Sequence, residues 1–465
     1  MPGHRVVLRA GTLLAVWCPV LLFRRRSPPH ISAALEDSGP VFIKLAQWMS
    51  TRRDLLSEEL CDEMAKLHER VRSEYSTRDV KRAEALVPGL KLGRLLGGGC
   101  IAQVYSATMP PLDSDGPPLE VAVKVRRENV PDLLDLDLCL MRGMAAISER
   151  VWPSMQWLAM QKAIDNFAWY MVQQLDLRIE AEHLDQLKSD FRSGRVKGPG
   201  RVSVPHVIAV SEAVMVTEVA HGVSLSQFVK LESPDKLKRM VFTALIDMMA
   251  RMVLVNNFIH GDLHPGNIFV SLVPANGPAT PLDKFDNGVV PMITLIDAGI
   301  SIQMSDSLTS FARSSMLAAF RMNPLALGQA LVQFHHDEGL CSHGQELEVL
   351  EDEVGHLLLA GCFMCPEKIW GRVFEDYQEY RASRVSEYFT KMTALLSHHR
   401  VRVSPALWSL MTAFALVEGS VQELGYGINV LRAARPYIFR PVDIFGRIGS
   451  SLRLKTSEGT FKSTR

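Results

Sequence analysis

The spacing of hydrophobic positions changes several times along the chain, and each change marks an element. Ala10 to Phe23 is an unbroken apolar run. Leu60, Met64, Leu67 and Val71 recur at helical spacing behind Ser57, Glu58 and Glu59, which read as a helix start. Leu92 to Leu96, Gln103 to Ala107 and Glu120 to Val125 alternate, separated by a Gly97 to Ala102 turn and a Pro/Asp/Gly loop, so they predict a hairpin and a third strand. Leu177, Ile179, Ala181 and Leu184 predict a packed helix, residues 188–203 a polar loop, and Val204 to Val219 further strands. Leu237, Met240, Val241, Leu245, Met248, Met249 and Met252 return to the helical period between Pro234 and Asn257. Pro274 to Pro291 reads as a surface loop, residues 307–435 as mostly helical, and the chain after Pro441 as a polar tail. The pattern predicts an α+β protein.

Chemistry concentrates where apolar positions run into two polar loops. Phe258 and Ile259 precede His260-Gly-Asp-Leu-His-Pro-Gly-Asn267, and Ile293, Leu295 and Ile296 precede Asp297-Ala-Gly299. Phosphoryl transfer needs a carboxylate to orient or deprotonate the attacking hydroxyl, and oxygen ligands for the divalent ions that bridge the phosphates. Asp262 fits the first role and Asn267 with Asp297 the second; His260 reads as loop support. Isolated Asp and Asn residues in such segments are mostly turn formers, so the weight lies on the spaced pair of loops and on what precedes them.

Upstream, Leu96, Gly97, Gly98, Gly99, Cys100, Ala102 and Val104 form a glycine-rich hairpin whose backbone can approach phosphate oxygens, weak evidence by itself. Joined to Val121-Ala-Val-Lys124, where alternation sets Lys124 apart from Val121 and Val123, it predicts an ATP cover with a phosphate-contacting lysine. Lys124 needs a carboxylate partner; among Asp176, Glu180 and Glu182, Glu180 is favoured by the packing pattern around it. The strand ending at Glu218 and Ala220 stands where a kinase hinge would offer its backbone to adenine.

Composition narrows this picture. Lys plus Arg and Asp plus Glu both total 51 in 465 residues, so no bulk positive charge points to nucleic acid. Seven cysteines are scattered, and the Cys362/Cys365 pair lacks the partners of a zinc site, which suits a reducing or matrix-like compartment. Arg5, Arg9, Arg24, Arg25 and Arg26 precede the first acid, Glu36, an organelle-targeting bias. The apolar run between them is shorter than the roughly 20 residues a span requires, and predicts a targeting or membrane-associating segment.

These motifs together resemble the AarF/UbiB family of atypical kinases, from about Ser38 to Pro436. Lys44-Leu-Ala-Gln47 with Ser50-Thr-Arg-Arg-Asp-Leu55 is similar to the family's Lys-x-Gly-Gln extension, and the Lys124, Glu180, Asp262, Asn267 and Asp297 motifs to its nucleotide site. The resemblance implies a kinase-like two-lobe fold, with residues 1–35 a targeting or membrane segment, 36–90 a helical extension, 91–220 and 221–440 the lobes, and 441–465 a tail. It implies ATP and Mg²⁺ as cofactors, a small-molecule or lipid substrate, a mitochondrial and membrane-associated setting, coenzyme Q biosynthetic proteins as partners, and a role in coenzyme Q biosynthesis and lipid metabolism. The absence of an Ala-Pro-Glu motif after Asp297 agrees with helices that disfavour large protein substrates.

Three positions depart from the family pattern. Its extension glycine is Ala46, its alanine-rich phosphate loop is Gly97-Gly-Gly-Cys100, and its Glu-x-Asp motif is Gln174-Leu-Asp176. The last change removes a charge that could pair with Lys44, so Lys44, Gln47, Gln174 and Asp176 form the expected regulatory set. Two rival readings stand beside the ATPase or kinase reading: a phosphotransferase of the aminoglycoside/choline kinase type, and a nucleotide-binding scaffold without turnover.

Overall fold

The computed structural model describes residues 3–22, 27–50, 56–68, 76–111, 116–151, 160–192, 201–274, 289–340, 348–362, 385–399, 401, 404–423 and 435–438. Arg24 to Arg26, Thr51 to Leu55, Val71, Cys365 and the tail after Pro441 lie outside them.

Five helices precede the first sheet: α1 (Gly3–Leu22), α2 (Pro28–Asp37), α3 (Pro40–Met49), α4 (Glu58–Ala65) and α5 (Thr77–Leu86). Strands β1 (Lys91–Gly98), β2 (Ala102–Met109) and β3 (Leu119–Arg126) follow, then helices α6 (Val130–Val151), α7 (Met160–Leu175) and α8 (Leu177–Arg192). After β4 (Arg201–Ser203), strands β5 (Val207–Val210) and β6 (Val214–Glu218) complete an antiparallel sheet of order β1-β2-β3-β6-β5. Tyr105, Val121, Val123 and Val125 point from one face of this sheet into a core capped by Ala83 of α5 and Leu90. Lys124, between Val123 and Val125, must therefore point from the other face.

The second half carries β7 (Val223–Ser224), α9 (Leu225–Lys230), α10 (Asp235–Arg251), β8 (Phe258–His260), β9 (Ile268–Pro274), β10 (Val289–Leu295), β11 (Ser301–Gln303) and helices α11 to α13 (Asp306–Phe320, Pro324–Asp337, Glu348–Cys362). Helices α14 (Val385–His398) and α15 (Pro405–Glu423) follow. The largest core joins α8, α10 and these helices around Leu245, Met248, Leu263, Ile268, Leu295 and Leu331. A π-helical turn at Met252–Asn256 ends α10, and Asn257 turns the chain in a left-handed conformation (φ 54°) that Asn tolerates.

Several expectations shift in extent. Helix α8 continues through Arg192 because Leu184, Leu187 and Phe191 are buried on one face, so the polar run from Lys188 begins inside the helix. The strand β1 reaches Gly98, which shortens the glycine turn, and Val289 to Pro291 belong to β10 rather than to the preceding loop. Helix α7 ends at Leu175 and α8 begins at Leu177, with Asp176 between them.

Candidate active site

The strand pairing brings the two loops face to face. β8 runs into the Gly261–Asn267 loop and β9 leaves it; β10 runs into the Ile296–Ile300 loop and β11 leaves it. β8 pairs with β11, Ser301 opposite His260, and β9 pairs with β10, Leu295 opposite Ile268. Both loops are thus pinned at both ends by the same two ladders. Gly261 N–H donates to Ile300 O (2.8 Å) and Ile296 N–H to Asn267 O (3.1 Å).

Within the first loop, Asp262 N–H donates to His260 Nδ1 at 3.1 Å, and Asn267 Nδ2 donates to Asp262 O at 3.0 Å. The Asn267 amide nitrogen is therefore engaged with backbone, which leaves its carbonyl oxygen as the ligand atom. His260 is fully buried, and burial holds it below its ordinary pKa. As a neutral ring accepting at Nδ1, it donates from Nε2 to Asp297 O. It links the loops and does not enter the cleft.

Lys124 stands between two carboxylates. Its Nζ lies 2.7 and 2.8 Å from the Glu180 oxygens and 2.9 Å from Asp297 Oδ2. Burial alone would pull Lys124 down, but the Asp297 and Glu180 charges reverse this and hold it above its ordinary value. Burial likewise pushes Asp297 up, and the Lys124 cation with the Gly299 N–H (2.9 Å) more than offsets it, so Asp297 stays ionised well below the usual range. Glu180, whose side chain is 2 % exposed, is pushed up to about 7 by burial, with Lys124 opposing and Asp297 adding to the rise. Asp176 and Glu182 do not share this pocket: Glu182 is exposed, and Asp176 pairs with Arg178 (Nη2 to Oδ2, 2.6 Å), which holds its carboxyl below the ordinary range.

The glycine turn sits over this group, with Val104 opposite Lys124 in the β2/β3 ladder and Gly99 N–H closing the turn on Ala102 O (2.8 Å). A Cβ at Gly97 would meet nothing within 4 Å, so this edge is open for a ligand. Leu96 is 47 % exposed, while Cys100 and Ile101 are buried against Val41, Phe42 and Ile43 of α3. Burial pushes the Cys100 thiol up, and the Lys44 cation is the largest opposing influence. The same lysine lowers Asp297, so α3 presents its charge toward the glycine turn and the second loop together. Gln47 is buried, and its Nε2 donates to Leu67 O at 3.1 Å. Gln174, at the end of α7, reaches the Gly299 region, where its Cγ would stand 3.6 Å from an added Cβ. Glu218 ends β6 and receives the His206 N–H (2.9 Å), with Ala220 two residues beyond.

The family model of the ABC1 atypical kinase-like domain matches residues 95–330, which span β1 to α12 and include Lys124, Glu180, Asp262, Asn267 and Asp297. The chain belongs to that family. Its AarF/UbiB character extends beyond the matched domain: a mitochondrial ABC1 family protein of Saccharomyces cerevisiae is 24 % identical over 91 % of this chain and 68 % of its own length. A Mycobacterium tuberculosis protein solved in complex with erythromycin superposes with a TM-score of 0.51 at 18 % identity, covering 85 % of this chain and 92 % of its own, which establishes the shared kinase-like fold.

The donor set fits a hard divalent cation. An amide oxygen and a carboxylate are oxygen ligands, and Asp297 keeps a side chain 37 % exposed toward the cleft while ionised. Among the described residues no group of three or more His, Cys, Asp or Glu could form a complete metal cage. Mg²⁺ commonly needs none, because phosphates and water supply its remaining ligands.

Proposed function

We propose that this chain is a Mg²⁺-ATP-dependent atypical kinase or ATPase acting on a small molecule or lipid. The carrying observation is Lys124 held by Glu180 and Asp297 beside the Asp262/Asn267 loop. Asn267 and Asp297 would hold Mg²⁺, which supplies neutralisation of phosphoryl charge. With Asp297 given to such a cation, Lys124 would keep Glu180 and offer its charge to the α/β phosphates. Gly97 to Gly99 offer backbone N–H groups above them, the chain from Glu218 to Ala220 offers its backbone to adenine, and Asp262 orients or deprotonates the attacking hydroxyl or water. The α3 helix on the glycine turn favours a small acceptor over a protein. A chain that binds Mg²⁺-ATP should melt several degrees higher with it than with ATP and EDTA; no shift in either would overturn the reading.

Family membership and the mitochondrial relative support a mitochondrial role in coenzyme Q biosynthesis and lipid metabolism, with proteins of that biosynthesis as candidate partners. A membrane surface is the setting α1 supports. No described helix is long and apolar enough to cross a membrane. One side of α1 is held to the protein by Arg9 and Trp17, while Val7, Leu8, Leu14 and Leu22 on the other are each more than 60 % exposed. Apolar surface of this kind with Arg24-Arg25-Arg26 next in sequence suits an anionic bilayer interface.

A further inference from the structure

The peptide groups around Ala298 face one helix at two points. Glu180, in the first turn of α8, lies beside this loop, its Oε2 3.6 Å from where a Cβ on Gly299 would stand, and the Ala298 backbone is among the groups that oppose the rise burial gives its pKa. His183, three residues later on the same face, places Nδ1 2.8 Å from Ala298 O. A carbonyl oxygen only accepts, so His183 carries its proton on Nδ1 and donates. The ring also lies against Phe258, 5.6 Å between centroids, where the strand leading to the first loop begins. The half-buried His183 therefore ties α8 to the strand that feeds Asp262 and to the residue that follows Asp297. Ala298 itself is fully buried, so its carbonyl depends on such partners; Ser301 Oγ adds a longer bond of 3.2 Å.

We infer that His183 is a positioning residue for the metal-binding carboxylate, coupling the orientation of the Asp297–Gly299 loop to the position of α8. This rests on the reading of Asp297 as a Mg²⁺ ligand. Glu180 lies beside the Ala298 residue and His260 fixes the preceding carbonyl; His183 fixes the following one. With all three in place the backbone that carries Asp297 is fixed, so its carboxylate moves only about its own side-chain torsions. Without His183, the Ala298–Gly299 peptide can turn while Lys124 and Glu180 remain paired, so the loop loosens with the lysine site intact.

The test uses the full chain with His183→Phe, which keeps a ring against Phe258 but removes the donor, and His183→Asn, which retains a short donor. Amide hydrogen exchange over residues 295–300 is read in ligand-free protein. The Mg²⁺ concentration for half-maximal binding of a fluorescent ADP analogue is read separately. Loss of one hydrogen bond of ordinary strength corresponds to about five-fold in each equilibrium. His183→Phe is expected to speed exchange in 295–300 and raise the Mg²⁺ midpoint by about that factor, with metal-free nucleotide affinity unchanged and His183→Asn restored toward wild type. Wild-type exchange in 295–300 for His183→Phe would overturn the assignment. If wild-type nucleotide binding shows no Mg²⁺ dependence, the metal reading fails, and the exchange arm still decides whether His183 holds the loop.

Discussion

His260 donates from Nε2 to the carbonyl oxygen of Asp297 while its Nδ1 accepts the Asp262 N–H. One buried neutral ring thus sets the relative position of the acid that would face the acceptor and the acid that would face the metal. It does so only in the Nε2–H tautomer, and burial maintains its neutrality. His260→Phe should leave both loops without that tie: ATP turnover is expected to fall at least ten-fold, with the nucleotide KM moved far less than kcat. Steady-state kinetics beside a thermal melt separates this from unfolding, and a His260→Phe enzyme of unchanged kcat would contradict the account.

Lys124 faces two carboxylates, so the trio holds one excess negative charge. Glu180 carries the strain, with a folded value of about 7 above its ordinary 4.5. A raised folded value means that the native protein holds a proton the unfolded chain has released, so the contribution of Glu180 is fully present below about 4.5 and declines as pH rises through 7. Thermal melts of Glu180→Gln and wild type from pH 5 to 8 should show the variant gaining on wild type as pH rises. A constant difference would contradict the charge assignment. Asp297 acts in the opposite sense, its contribution being lost as pH falls below the ordinary carboxylate range.

Arg9 reaches from α1 to Asp137 of α6 (2.6 and 2.9 Å), whose carboxylate is fully buried and pushed up by burial against the opposing arginine. Its Nη2 also donates to Ser38 O, just before α3. Arg9→Leu strands a buried carboxylate and should destabilise the protein by about 3 kcal/mol. Arg9→Leu with Asp137→Leu should recover most of the loss, since an apolar pair of similar size commonly replaces a buried ion pair without penalty. Chemical denaturation of the three variants decides this, and equal loss in single and double variants would contradict it.

Behind the glycine turn, Asp79 of α5 accepts from Tyr105 Oη (2.9 Å) and Gln103 Nε2 (3.1 Å), while Gln103 stands opposite Gly98 in the β1/β2 ladder. Burial first, then the Asp79 hydrogen bond and charge, push Tyr105 up to about 12, in keeping with a phenol that keeps its proton to donate to Asp79 while accepting from Gln103 Nε2 (3.1 Å). Tyr105→Phe removes one donor from a buried carboxylate and should cost about 1 to 2 kcal/mol in a denaturant melt. A cost near zero would show that the network does not hold α5 to the sheet.

The exposed face of α1 makes a further prediction. Leu8→Asp with Leu14→Asp should abolish co-flotation with anionic vesicles while leaving the melting temperature within about 2 °C, because both side chains point to solvent. Undiminished flotation would move the membrane contact elsewhere.

Much of the site was legible because its chemistry is local in sequence. Asp262 and Asn267 share one loop, Asp297 to Gly299 another, and the alternation Val121, Val123, Val125 separates Lys124 from the core by a period-two argument alone. Glu180 was legible through the apolar positions that turn it inward. What stayed hidden depends on partners far along the chain. His183 meets Ala298 across 115 positions, and its donor role is invisible in a helix otherwise rich in charge. Gln47 beside Lys44 looks like a solvated pair until the 3₁₀ turn at Lys66–His68 supplies the Leu67 carbonyl. Asp176 reads as a candidate partner for Lys124, yet a neighbour two residues away, Arg178, satisfies it. The helices α6 and α7 between β3 and α8 are hard to see in the sequence. Their outer positions Met144, Ile147 and Trp169 are apolar and exposed, which blurs the amphipathic stripe that would have marked them.

The most direct test of the central claim is Mg²⁺-dependent ATP turnover by the full chain, with and without anionic vesicles, beside Asp262→Asn and Lys124→Ala. The account predicts turnover that requires Mg²⁺, rises with vesicles, and falls at least a hundred-fold in Asp262→Asn while Mg²⁺-nucleotide binding persists in that variant. Nucleotide bound by wild type but consumed no faster than by Asp262→Asn would contradict it, and would leave a nucleotide-binding scaffold in place of an enzyme.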